Sequence, residues 1–231
     1  MKKALPIVIF FMLLLGMDLF PYIPARLFNI DITSFSENMK ICYVLCTDIG
    51  FMIIIFTLFY RDIIKDFKAY FKNFGSNFVH SFGYYLIGLL MMYLCNYLIG
   101  IFFSDANSNN ETMVRLLISK YPLYMLFSVA IYAPFVEEII FRKCIKDAVY
   151  TWGDNKVSKY VYIIIGGLLF GTLHVLGVAT SNYDYLYIIS YMALGSTFAY
   201  IYCKSNNLFN TIVLHSLHNI VALAIYFIFG G

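Results

Sequence analysis

The run Phe82-Gly83-Tyr84-Tyr85-Leu86-Ile87-Gly88-Leu89-Leu90-Met91-Met92-Tyr93-Leu94-Cys95-Asn96-Tyr97-Leu98-Ile99-Gly100-Ile101-Phe102-Phe103 contains no charged side chain. A helix rises 1.5 Å per residue, so about twenty residues cross the roughly 30 Å hydrocarbon core of a bilayer. Lipid offers no partner to a bare backbone amide, so such a run crosses as a helix. Six further stretches read the same way, near 4–23, 40–60, 121–141, 158–178, 185–203 and 208–229. The expected fold is all-α, a polytopic transmembrane helical bundle of about seven spans. There is room for an eighth helix, re-entrant or interfacial, around 142–157.

Composition agrees. The 231 residues are 61% hydrophobic and only 13% charged, whereas a soluble domain carries about 25% charged residues. A soluble fold of this length cannot hide so much apolar surface. No basic cluster interleaves with polar residues, which argues against nucleic acid as a partner. Cys42, Cys46, Cys95, Cys144 and Cys203 form no CxxC pair and read as small apolar residues. The chain reads as one membrane domain over 1–231. Three motif-free spans fill 1–103, and a motif-bearing helical core fills 120–229.

Lysine and arginine set the expected orientation. With the N-terminus inside, the inner segments hold twelve of them and the outer segments four, namely Arg26, Lys40, Arg115 and Lys120. The N-terminus is thus expected in the cytoplasm. Met1-Lys2-Lys3 and the apolar run after it read as a retained signal anchor. The polar segment 104–120, opening Ser104-Asp105-Ala106-Asn107-Ser108-Asn109-Asn110, reads as a loop. The abundance of Phe, Tyr, Ile and Asn is what AT-rich coding yields and points to a bacterial cell membrane.

An ionisable residue at mid-membrane costs about 2.5–3.5 kcal/mol on insertion scales, so each one is a functional candidate. Glu137 and Glu138 are adjacent in Phe135-Val136-Glu137-Glu138-Ile139-Ile140-Phe141-Arg142. Neighbours on a helix point about 100° apart, while residues four apart share a face. Glu138 therefore reaches Arg142, and Glu137 faces elsewhere, free to act as a general base. The bland alternative is an ion network at a helix end. His174 lies deep in the fifth apolar stretch, near Gly166, Gly167 and Gly171, which thin that helix for a close neighbour. A lone histidine there reads as an interhelical hydrogen-bonder as readily as a catalyst. His215 and Asn219 sit one turn apart and can face one cavity as oxyanion donors. His218 lies off that face, as a spare, a substrate contact or packing. Asp48 reads as helix packing or a water contact.

These residues resemble a family. Glu-Glu-x-x-x-Arg at Glu137, Glu138 and Arg142, then Phe-x-x-x-His at Phe170 and His174, then His-x-x-x-Asn at His215 and Asn219 look like the CAAX protease and bacteriocin-processing family. That family includes the type II CAAX prenyl endopeptidases. The resemblance covers roughly 120–229 and implies an all-helical intramembrane glutamate endopeptidase. It assigns Glu137 to water activation with His174 assisting, His215 and Asn219 to the oxyanion, and Glu138 and Arg142 to support. It implies no metal cofactor, and the chain lacks HExxH. Zinc stays open on the residues alone, since His174, His215 and Glu137 offer three ligands.

The implied substrates are hydrophobic, lipidated, leader or pheromone peptides reaching a membrane-buried, cytoplasm-facing site. Membrane lipids, and a membrane protein partner, complete the partners. Two rivals stand beside this reading: a non-catalytic scaffold or regulator of a signalling or immunity system, and a proton-coupled transporter. One geometric difficulty remains. With spans ending as above, Glu137 lies near the cytoplasmic end of the fourth, His215 roughly 11 Å and His174 roughly 24 Å from that face. They meet only if a helix projects from the membrane or the fourth continues past Arg142.

Overall fold

The computed structural model describes residues 4–103 and 108–230. Lys2 and Lys3 of the expected anchor and Ser104–Asn107 of the expected loop fall outside them. The described chain is a helical bundle. In order come α1 (Ala4–Leu19), the short α2 (Tyr22–Leu27), α3 (Glu37–Lys72), α4 (Phe74–Phe102) and α5 (Asn109–Lys120). Then follow α6 (Pro122–Trp152), α7 (Lys156–Leu176), α8 (Tyr187–Ser205) and α9 (Phe209–Phe229). Six of these helical segments are long and apolar enough to cross a membrane. α1 has 16 residues, or about 24 Å of rise, short of a full span. The chain is a multi-pass membrane protein.

Local chemistry sets the helix ends. Ser36 and Asn155 cap α3 and α7, each side-chain oxygen accepting from the backbone N–H three residues on. Pro122 opens α6, where its missing N–H costs nothing. Asn206 ends α8 in the left-handed conformation, at φ 46°.

The structure corrects three expectations. α6 does not end near 141. It runs 31 residues to Trp152, about 46 Å, so 142–152 continues the fourth helix and is no separate re-entrant one. The charges that suggested an exit are neutralised in place. Arg142 is held by Glu138, and Lys143 reaches Asp62 at 2.9 Å and Asp147 at 3.1 Å. Glu137 therefore stands mid-helix, and the misalignment of Glu137 with His174 disappears. Finally, 109–120 is a helix, with Arg115 bound one turn on from Glu111 at 2.7 Å.

α6 is the buried axis. Val136, Ile139, Ile140, Phe141, Cys144 and Ile145 are at most 2% exposed and pack on Phe10, Phe51, Ile55, Phe170 and Ala199. Outward-facing Leu90, Ile101 and Ile228 are more than half exposed, as a lipid-facing surface is. α7 and α8 approach at the expected glycines. A Cβ on Gly171 would lie 2.5 Å from the Ile188 carbonyl oxygen, and one on Gly167 would strike Ser196 Oγ.

Candidate active site

Two π-helical turns, Ser128–Tyr132 and Ile139–Cys144, flank a short α segment, Ala133–Glu138. Pro134 has no N–H to return to the preceding turn, which loosens the ladder there. The freed Val129 carbonyl accepts a hydrogen bond from Asn219 Nδ2 of α9, at 2.6 Å. The segment aims Glu137 and Glu138 in different directions.

Glu138 faces a sealed layer. Its Oε2 accepts from Arg142 Nε at 2.7 Å, and its Oε1 accepts from Arg142 Nη2 at 3.1 Å and His215 Nδ1 at 3.0 Å. Glu138 and Arg142 have no exposed surface. The guanidinium lies over Phe170, 5.1 Å from the ring centroid, and Phe198, at 5.6 Å. Phe198 also stacks on His215. A charge in this layer survives only because the layer is paired on nearly every side.

Glu137 faces a cavity of about 420 Å³ between α4, α5, α6, α7, α8 and α9. His174, His215, His218 and Asn219 line the same cavity. Glu137 Oε2 has no hydrogen-bond partner among the described residues and lies 3.9 Å from His174 Nε2. His174 Nδ1 donates to the Phe170 carbonyl oxygen at 2.8 Å. A carbonyl only accepts, so that nitrogen carries the hydrogen, and Nε2 is the ring nitrogen nearer Glu137. Tyr191 stacks on His174 at 4.9 Å. The Tyr191 hydroxyl is held by Ser108 Oγ at 3.0 Å and Asn110 Nδ2 at 3.2 Å, which ties the start of α5 to the site.

The structure thus brings Glu137, His174, His215 and Asn219 to one cavity and puts Glu138 and Arg142 beneath it. Two donors are partly spent. Asn219 keeps one amide hydrogen beyond its bond to Val129. With Nδ1 facing a carboxylate, His215 presents an Nε2–H only as the imidazolium. His218 Nδ1 shares a hydrogen bond with Tyr85 OH at 3.0 Å, which gives that unassigned histidine a place in the wall. Asp48 accepts from Tyr124 OH at 3.0 Å. Among the described residues, no three His, Cys, Asp or Glu side chains stand close enough to hold a metal ion, so Glu137, His174 and His215 do not form a zinc set. Tyr85 and Tyr191 are the residues that sequence reasoning missed. In a chain with 21 tyrosines nothing marked either one.

Two comparisons with known proteins find a resemblance over this part of the chain. Residues 119–221, which hold all three motifs, match the family model described as type II CAAX prenyl endopeptidase Rce1-like. A Bacillus subtilis (strain 168) protein named "Putative membrane peptidase YdiL" is 30% identical over 112 residues. That match takes in 48% of this chain and 41% of the relative, so the chain spans less than half of the relative's length. No solved structure matches. The chain is a multi-pass membrane protein whose residues 119–221 are similar to the Rce1-like family.

Proposed function

We propose that the protein is an intramembrane endopeptidase that hydrolyses hydrophobic, lipidated, leader or pheromone peptides with water activated by Glu137. The observation that carries this is the unpartnered Glu137 oxygen, set 3.9 Å from His174 Nε2 inside a cavity. A water held there donates one hydrogen to the carboxylate and the other to the imidazole. Glu137 takes the first proton as the water oxygen bonds to the scissile carbonyl carbon. The second amide hydrogen of Asn219, and His215 as the imidazolium, stabilise the resulting oxyanion. The tetrahedral intermediate collapses, the C–N bond breaks, and the proton passes from Glu137 or His174 to the leaving amine. Glu138 and Arg142 hold His215 in place and take no proton.

The test is cleavage of quenched hydrophobic and prenylated peptides by the purified chain, with and without a chelator. The reading predicts cleavage that survives chelation and is lost in Glu137→Gln. Cleavage that chelation stops and zinc restores would refute the metal-free mechanism.

A further inference from the structure

The cavity occupies one end of the bundle. Its floor is the sealed layer of Glu138, Arg142 and His215, at most 5% exposed. Its far end lies against α5, through Asn110, Glu111, Val114 and Arg115. Two ties identify that end. Lys120 at the end of α5 reaches Glu37 at the start of α3, at 2.9 Å. Asn109 at the start of α5 donates to Asp184, ahead of α8, at 2.9 Å.

The two ends differ in charge. The α5 end carries Arg26, Lys40, Arg115 and Lys120, and three of these four are paired with Glu37 or Glu111. The opposite end carries the lysines of 65–72, 143–146 and 156–159, with Arg61 and Lys204, nine cations in all. Basic residues collect on the cytoplasmic face. The cavity and the basic face are therefore at opposite ends.

We infer that the site is entered from the extracytoplasmic side, and that its substrates are peptide segments presented at the outer leaflet. This rests on the peptidase reading above and reverses the cytoplasm-facing site expected from sequence. Along α6 the cavity wall runs from Val129 to Glu137, about 12 Å at 1.5 Å per residue. An extended chain covers about 3.3 Å per residue, so about four unfolded residues lie along this wall to reach Glu137. The walls suit such a segment. Tyr93, Tyr187 and Tyr226 offer rings to apolar side chains and hydroxyls to a peptide backbone, while the hydroxyls of Tyr85 and Tyr191 are already engaged by wall residues. The substrates are thus exported or membrane-anchored peptides with a flexible stretch beside an apolar one.

Cysteine labelling tests this. The five native cysteines are replaced by alanine in the full chain. A single cysteine is then placed at Ala133, in the cavity one turn from Glu137, or at Val157, exposed at the opposite end. A charged, membrane-impermeant methanethiosulfonate is added to intact cells and to inside-out vesicles. Intact cells should give modified Ala133→Cys and untouched Val157→Cys, and inside-out vesicles the reverse. Modification of Ala133→Cys only in inside-out vesicles, or in neither preparation, overturns the proposal. If the cysteine-free chain does not accumulate, alkaline phosphatase fused after Gly231 gives a second reading. α9 ends at the α5 end, so the fused enzyme should be active, and an inactive fusion overturns the proposal. Neither readout needs catalysis. A chain that labels as expected but cleaves nothing fails as a peptidase while the sidedness of its cavity stands.

Discussion

Glu137 and Glu138 are neighbours in the chain and live in different media. Glu138 has no exposed surface, and both its oxygens are bonded, to Arg142 and His215. Glu137 stands at the wall of a 420 Å³ cavity with one oxygen unpartnered among the described residues. A rotation of about 100° between consecutive helical residues is all that separates them. The cost of ionising the first is offset by the fixed Arg142 counter-ion, and the carboxylate so held fixes His215. The second has no such partner, only His174 Nε2 at 3.9 Å, which is the arrangement the proposed mechanism uses. The same residue type therefore supplies a structural anchor and, on the proposed function, a reactive group.

This contrast can be broken from either side. The largest effect falls in the cavity. His174→Ala removes the group facing Glu137 and should slow peptide cleavage by about 10²–10⁴-fold, the usual range for a positioned acid–base group. The thermal midpoint in detergent should hardly move. Next comes the sealed layer. Arg142→Met leaves the Glu138 carboxylate buried with one partner fewer, which should cost about 3–5 kcal/mol of stability. Thermal unfolding reads that loss, and an unchanged midpoint would show the layer is not held by its ion pair. The seam of α7 and α8, which sets His174 and Tyr191 against each other, should be less sensitive. Gly171→Val forces a Cβ onto the Ile188 carbonyl and should cost about 1–3 kcal/mol. The smallest effect belongs to Tyr191→Phe. It keeps the ring stacked on His174 and removes only the bonds to Ser108 and Asn110, so about 0.5–1.5 kcal/mol of stability should go. A rate that falls as far as in His174→Ala would mean that the hydroxyl itself takes part.

Much of this was legible in the sequence, for physical reasons. Charge-free runs such as 82–103 have one stable state in lipid. The four-residue spacing of Glu138 and Arg142 puts them on one face. Gly167 and Gly171 announced a close neighbour that proved to be α8. The failures share a cause as well. Arg142, Lys143 and Lys146 looked like the cytoplasmic exit of the fourth span because Lys143 was read without its partner, and the pairing of Arg142 with Glu138 was not carried over to the helix end. Asp62, which neutralises Lys143, is on another helix. The asparagine-rich opening of 104–120 likewise hid a helix whose start is held by Tyr191 and Asp184. The π-helical turns around Glu137 leave no periodic mark in sequence, although Pro134 hints at one. Tyr85 and Tyr191 matter through the histidines they touch, which only the packed structure reveals.

The most direct measurement compares Glu137→Gln with Glu138→Gln in one preparation, recording the cleavage rate and the thermal midpoint of each. The account predicts that Glu137→Gln loses its cleavage and keeps its midpoint, while Glu138→Gln loses midpoint through its weakened hold on Arg142 and His215. Undiminished cleavage in Glu137→Gln, or loss of midpoint in that variant with none in Glu138→Gln, would contradict it.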